Sequence, residues 1–158
     1  MQKKYLFRSA QSAFAVDILE YENPAGDQPG EEDNRLLTCL RLVDRGRAWE
    51  IITAILFTWD LERIVRWLGD IVADREVPDG LSFADPSLAI ELRYAAPDRG
   101  QYCFAIVLKN EALPPWQEPS RFPYVVTVDG DRAGMTKAIN ELSRQIKAFP
   151  PRLCGPNA

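Results

Sequence analysis

The sequence predicts an α+β fold, a mainly antiparallel β-sheet of about eight strands with two amphipathic helices packed on it. Three observations carry this. Short runs rich in β-branched and aromatic residues are separated by tight turns. Two stretches, and no others, place apolar residues at helical spacing. Most connections are too short for a crossover, so consecutive strands must run antiparallel.

Residues 4–8 and 12–21 read as the first two strands. In the second, Phe14, Val16 and Ile18 share a face that Glu20 would continue, with Ala15, Asp17, Leu19 and Tyr21 opposite. Residues 22–34 hold two prolines, two glycines and a dense set of acids, which makes them a loop. Residues 35–43 and 47–57 form a hairpin across Asp44-Arg45-Gly46, where Gly46 can take positive φ. Trp49, Ile51, Thr53, Ile55 and Phe57 would line one face of its second arm and Ile52, Ala54 and Leu56 the other, which suggests a central strand covered on both sides.

The clearest helix spans about 59–75, with Thr58 as expected N-cap and Asp60 and Glu62 at the positive end of its dipole. Leu61, Ile64, Val65, Leu68, Ile71 and Val72 make its apolar stripe, and Pro78-Asp79-Gly80 stops the element. A short strand near 81–84 follows. Strand 87–95 alternates, with Leu88, Ile90, Leu92 and Tyr94 inward. Pro97-Asp98-Arg99-Gly100 turns it into strand 101–109. Residues 111–121 contain three prolines and Trp116, a rigid loop. The last strand, Tyr124 to Val128, leads through Asp129-Gly130-Asp131 into a second helix at about 132–148, whose stripe is Met135, Ala138, Ile139, Leu142, Ile146 and Phe149. No internal repeat is legible. Residues 1–150 form the expected single domain, and residues 151–158 a flexible tail.

The chain has 158 residues, enough to bury roughly 70% of the surface of its unfolded chain without a metal or disulfide. Its net charge is −4, which disfavours binding to phosphate backbones and suits a basic protein partner. Cys39, Cys103 and Cys154 are odd in number and lack C-x-x-C spacing, as befits a reducing cytoplasm. No window is long and apolar enough to span a membrane, and the run Tyr5-Leu6-Phe7 is too short for a signal peptide.

There is no histidine. That removes Ser-His and Cys-His catalysis and the commonest metal ligand. Gly130-Asp131-Arg132-Ala133-Gly134-Met135-Thr136 is one residue short of a phosphate loop and has Met in place of Lys. As a calcium loop it offers Asp129, Asp131 and Gly134 at three positions but Asn140 where a bidentate Glu belongs. It reads instead as a strand-to-helix turn with an acidic cap. Asp85, Glu91 and Glu111 could act as catalytic carboxylates only if the fold gathered them in a cleft. No cofactor is expected.

Trp49, Trp59 and Trp67 belong to regular elements and are expected in the core. Trp116, among prolines, is a candidate interface anchor, with packing over a sheet edge as the alternative. The acids Asp27, Glu31, Glu32 and Asp33 could steer a basic partner, or simply face solvent.

The segment Leu81-Ser82-Phe83-Ala84-Asp85-Pro86-Ser87-Leu88, the segment Glu111-Ala112-Leu113-Pro114-Pro115-Trp116, the Trp-bearing first helix and the closing second helix together resemble the WapI-like immunity proteins of bacterial polymorphic toxin systems. The resemblance covers about residues 10 to 149 and brings no catalytic residues. It implies a cytoplasmic, non-enzymatic protein, a monomer or small homo-oligomer, that binds and neutralises a cognate toxin domain. The expected partner-binding residues are Asp27, Glu31, Glu32, Asp33 and Trp116. The alternative is a small-molecule-binding or regulatory domain with a sheet-lined pocket, which would show a deep apolar pocket with convergent polar groups.

Overall fold

The computed structural model describes residues 5–23, 30–119 and 121–152. These hold two antiparallel sheets of four strands each and two long helices. The first sheet runs β1 (Phe7–Arg8), β2 (Ser12–Tyr21), β3 (Arg35–Asp44), β4 (Arg47–Phe57) in spatial order, and leads into α1 (Thr58–Val72). The second runs β5 (Gly80–Ser82), β6 (Leu88–Ala96), β7 (Gln101–Leu108), β8 (Tyr124–Asp131), and leads into α2 (Arg132–Ala148). The expected α+β class with eight antiparallel strands is therefore present, divided into two sheets. The same order of elements, four strands then a helix, occurs twice. No sequence repeat announces this, because a meander followed by a helix needs only alternation and turns, not matching residues.

One core joins both halves. It includes Phe14, Leu40 and Leu42 from the first sheet, Phe104, Ile106 and Val126 from the second, and Leu68 and Leu142 from the helices. Phe7 stacks on Phe104 at 4.8 Å, and Trp67 meets the same ring edge-on at 5.7 Å. The two helices pack on one another.

Several sequence expectations need correction, and most share one cause. β4 is an edge strand, not a central one, and Ile52 is 55% exposed. Its mixed apolar pattern arises from a bulge: Leu36 pairs Leu56 while Thr38 pairs Thr53, so β4 carries an extra residue. That slip reverses which residues face inward, and both Ile55 and Leu56 end up buried. A bulge in β2 skips Leu19, so Tyr21, not Glu20, packs toward the core. A bulge in β6 skips Arg93 and turns Tyr94 outward beside Cys103. Alternation alone cannot reveal a bulge, because the pattern is regular on either side of it.

The other corrections are local. Thr58 is the first residue of α1 and not its cap. The Asp60 carboxylate reaches back to accept the Phe57 N–H at 2.9 Å, and the Thr58 hydroxyl donates to Asn34 Oδ1 at 3.0 Å. The helix ends at Val72, and Asp74 takes positive φ in the turn beyond it. Trp59 is 37% exposed rather than part of the core, lying parallel to Phe57 at 4.6 Å. Trp49 and Trp67 are buried as expected.

Candidate partner-binding surface

The acidic segment enters β3 through a 3-10 turn, Glu31–Asn34. Asp33 Oδ2 accepts the Gly30 N–H at 2.7 Å, so this carboxylate caps its own turn. Glu31 and Glu32 remain exposed. Asp27 lies outside the described residues. Beneath the turn, Asn34 is buried and organises the junction. Its Oδ1 accepts the Thr58 hydroxyl and the Arg152 N–H (2.7 Å), and its Nδ2 donates to the Arg152 carbonyl at 2.9 Å. The Arg152 guanidinium sits 3.5 Å over the Tyr21 ring and donates to the Asn23 carbonyl at 2.9 Å. Residues 151 and 152, placed in a free tail by the sequence, are thus held here. The rest of that tail, 153–158, lies outside the described residues.

Trp116 is also 37% exposed. It packs edge-on against Trp49 at 5.0 Å with Arg47 over its ring, and Trp49 in turn meets Tyr124 at 5.5 Å. Trp49 Nε1 has no conventional acceptor and lies among these perpendicular rings. Glu111, at the start of the same proline-rich segment, accepts the Thr53 hydroxyl at 2.9 Å. The segment is therefore strapped to β4, which is the sheet-edge packing considered for Trp116, while one side of its indole stays open. The Trp116 end of β4 and the acidic turn lie at opposite ends of the first sheet. They are separated by the ladder from Leu42–Trp49 to Arg35–Phe57, about 20–25 Å at roughly 3.4 Å per residue. The structure does not bring the two candidate features together.

The other strand edges are also occupied. β8 meets β1 and β2, where Ser12 Oγ donates to the Thr127 carbonyl at 2.6 Å and Ser9 Oγ accepts the Asp129 N–H at 2.6 Å. Gln145 of α2 is buried and closes the open edge of β2, donating from Nε2 to the Val16 carbonyl (2.8 Å) and accepting the Ile18 N–H at Oε1 (2.6 Å). Arg63 donates to the Ser82 carbonyl on β5. These contacts occupy part of each edge and reduce the backbone left free for strand addition. The outer sheet faces stay accessible. On the first, Arg41 bridges Asp17 (2.9 Å) and Glu50 (3.0 Å) beside exposed Ile52.

The carboxylates considered for catalysis are dispersed. Asp85 caps the Ser87 N–H at 2.9 Å, Glu91 pairs with Arg93 at 2.9 Å, and Glu111 holds Thr53. Asp131 caps α2 by accepting the Gly134 N–H at 2.6 Å, which is the acidic strand-to-helix turn read from the sequence. Among the described residues, no three His, Cys, Asp or Glu side chains gather for a metal. Burial raises the Cys39 and Cys103 thiols, helped by the adjacent carboxylates of Glu50 and Asp129, so both are poor nucleophiles at neutral pH. A cleft of about 450 Å³ opens between the first strand and the start of α2, walled by Arg8, Lys137, Asp129 and Asp131 among others. Among the described residues no helix is long and apolar enough to cross a membrane.

The fold and surface define an α+β protein built from two four-stranded meanders, each closed by a helix, whose polar groups sit at turns, edges and faces. The sequence model of the immunity protein WapI-like family matches residues 5–150, and the chain belongs to that family. Among solved structures it is similar to the plant transcriptional regulator PBF-2 (12% identity, 94% of this chain and 84% of that one, TM-score 0.44). It is also similar to WHY1 from Arabidopsis thaliana (12% identity, 94% and 86%, TM-score 0.41). No curated protein matches the sequence.

Proposed function

We propose that this protein is an immunity protein that acts in the cytoplasm by binding a cognate toxin domain and occluding it, without turnover of its own. The observation that carries the reading is the family match across residues 5–150. Contact through turns and sheet faces fits the partly covered strand edges. Glu31 and Glu32 would attract a basic partner surface, Asp27 and Asp33 would add to the same field, and the open side of Trp116 would anchor a second contact. Because the acidic turn and Trp116 are far apart, they act as two separate footholds.

The test is co-expression with the effector domain of a toxin gene sought in the neighbourhood of its own. The expected result is protected growth and co-purification of a stable complex. Glu31→Lys with Glu32→Lys should slow association about tenfold at low salt, with little effect at high salt. Trp116→Ala should chiefly speed dissociation. Growth arrest despite full expression of the folded protein, or separation of the two proteins on a sizing column, would reject the reading.

A further inference from the structure

Three arginines are half-buried among the described residues: Arg35, Arg41 and Arg152. Arg41 is satisfied by Asp17 and Glu50, and Arg152 by backbone carbonyls. Arg35 differs. Among the described residues its guanidinium has no ion pair and no hydrogen bond, and its one contact is the Phe57 ring at 5.3 Å. A guanidinium carries five N–H donors in a planar fork. None of its nitrogens is among the buried atoms that lack a partner, so the whole fork stays open to solvent and to an incoming acceptor.

A cavity of about 270 Å³ opens beside it. Its other walls include Ala54, Phe57, Ala84, Asp85 and Pro86. The Ala84-Asp85-Pro86 wall belongs to the segment 81–88 and lies between β5 and β6. The Asp85 carboxylate is already bonded to the Ser87 N–H. The lining thus combines apolar surface, one free cation and one carboxylate occupied elsewhere. A carboxylate offers two oxygens that match one guanidinium fork, and it brings less negative charge toward Asp85 than a dianion would. Trp59, parallel to Phe57 and exposed, adds apolar surface next to that ring.

We propose that Arg35 and this cavity form a receptor for a carboxylate on a short apolar stem, presented as an Asp or Glu side chain by the protein partner. The assignment of the occupant to a partner rests on the immunity reading; the receptor itself does not. It gives the surface a cationic contact to complement the acidic turn nearby, so that it would read both signs of charge on its partner.

The blocked peptide acetyl-Ala-Glu-Ala-amide, titrated against the whole ¹⁵N-labelled protein, tests the receptor without any toxin. Saturable shifts are expected at the Arg35 side-chain Nε–H and the backbone amides of residues 54–57, Ala84, Asp85 and Ser87. Binding should weaken at least tenfold in Arg35→Gln and with the Gln peptide. Arg35→Lys, which keeps the charge and so guards against misfolding, should retain weaker binding. Equal shifts with the Gln peptide, binding unaffected by Arg35→Gln, or tighter binding of inorganic phosphate would each overturn the proposal. Growth protection in the co-expression assay is scored separately, so the receptor and the immunity reading can fail independently.

Discussion

The two halves of the molecule share a topology and solve the same problems with different atoms. Each begins with a very short edge strand, carries a bulge in its second strand, and runs from its fourth strand directly into a helix. In both, the second strand extends beyond its short neighbour and leaves backbone groups open. In the second half the chain covers this itself, because the Asp79 carbonyl accepts the Leu92 N–H at 2.7 Å. In the first half a side chain does it, the Gln145 amide standing in for a missing strand at Val16 and Ile18. The helix starts differ in the same way. α1 uses a third-position acid that reaches back to Phe57, and α2 uses an N-cap acid that reaches forward to Gly134. The lesson is that topology sets which groups need partners, and each half finds them where its own sequence allows. The halves also cover one another. Gln145 and the Glu111–Trp116 strap protect the first sheet, and Arg63 protects β5 in the second.

That mutual cover can be broken. The largest effect is expected from separating the halves between Arg75 and Pro78. A fragment ending at Arg75 would lose the strap on β4 and the amide on β2, and expose the apolar face shared with Phe104. Circular dichroism and sizing should show an unfolded or aggregated fragment. An independently stable, monomeric one would show that the cover is dispensable.

Gln145→Leu keeps the volume but leaves the Ile18 N–H and the Val16 carbonyl buried without partners, at a cost of about 2–4 kcal/mol. Urea unfolding should show this loss, and hydrogen exchange should place the increased opening in β2 rather than β6. Asn34→Ala removes the acceptor of the Thr58 hydroxyl and the Arg152 N–H, and should cost about 2–3 kcal/mol. Faster exchange should then concentrate at residues 31–36, whereas uniform acceleration would contradict the junction's local role.

Tyr124 joins the halves directly, its hydroxyl donating to Asp44 Oδ2 at 2.6 Å. Burial and then the Asp44 carboxylate raise its pKa above the ordinary value. A raised folded-state value means that the stabilisation is present below the unfolded tyrosine pKa of about 10 and is lost as pH rises through the folded value. Tyr124→Phe should cost about 1 kcal/mol at pH 7 and flatten the fall of Tm above about pH 10. An unchanged alkaline profile would remove Tyr124 as its cause. The smallest effect is at the helix caps, where Asp131→Ala should lower stability by about 1 kcal/mol and Asp131→Asn by much less.

Much of this was legible in the sequence. The strands at 12–21, 47–57 and 101–109, the helix at 132–148 and the acid at its cap follow from spacing and turn residues. The candidate footholds were legible as residue types, Glu31 and Glu32 in a turn and Trp116 among prolines, but their separation was not. Gln145 left one signal, a polar residue within the apolar stripe of α2 between Leu142 and Ile146. Arg35 left none, since a lone arginine at a strand start looks like any surface cation.

The sequence by itself determined the identity and order of the elements, because alternation, helical spacing and capping chemistry act over a few residues. It also determined the charge of the loop before β3. Only the tertiary structure decided the division into two sheets, the bulges that turn Tyr21, Tyr94 and Leu56 from their expected faces, and the edge position of β4. It also decided which partners met Asn34, Gln145 and Arg35. These depend on groups far apart in the chain, such as Gln145 and Val16, and local patterns carry no record of which distant atom will satisfy a buried donor or leave a cation free.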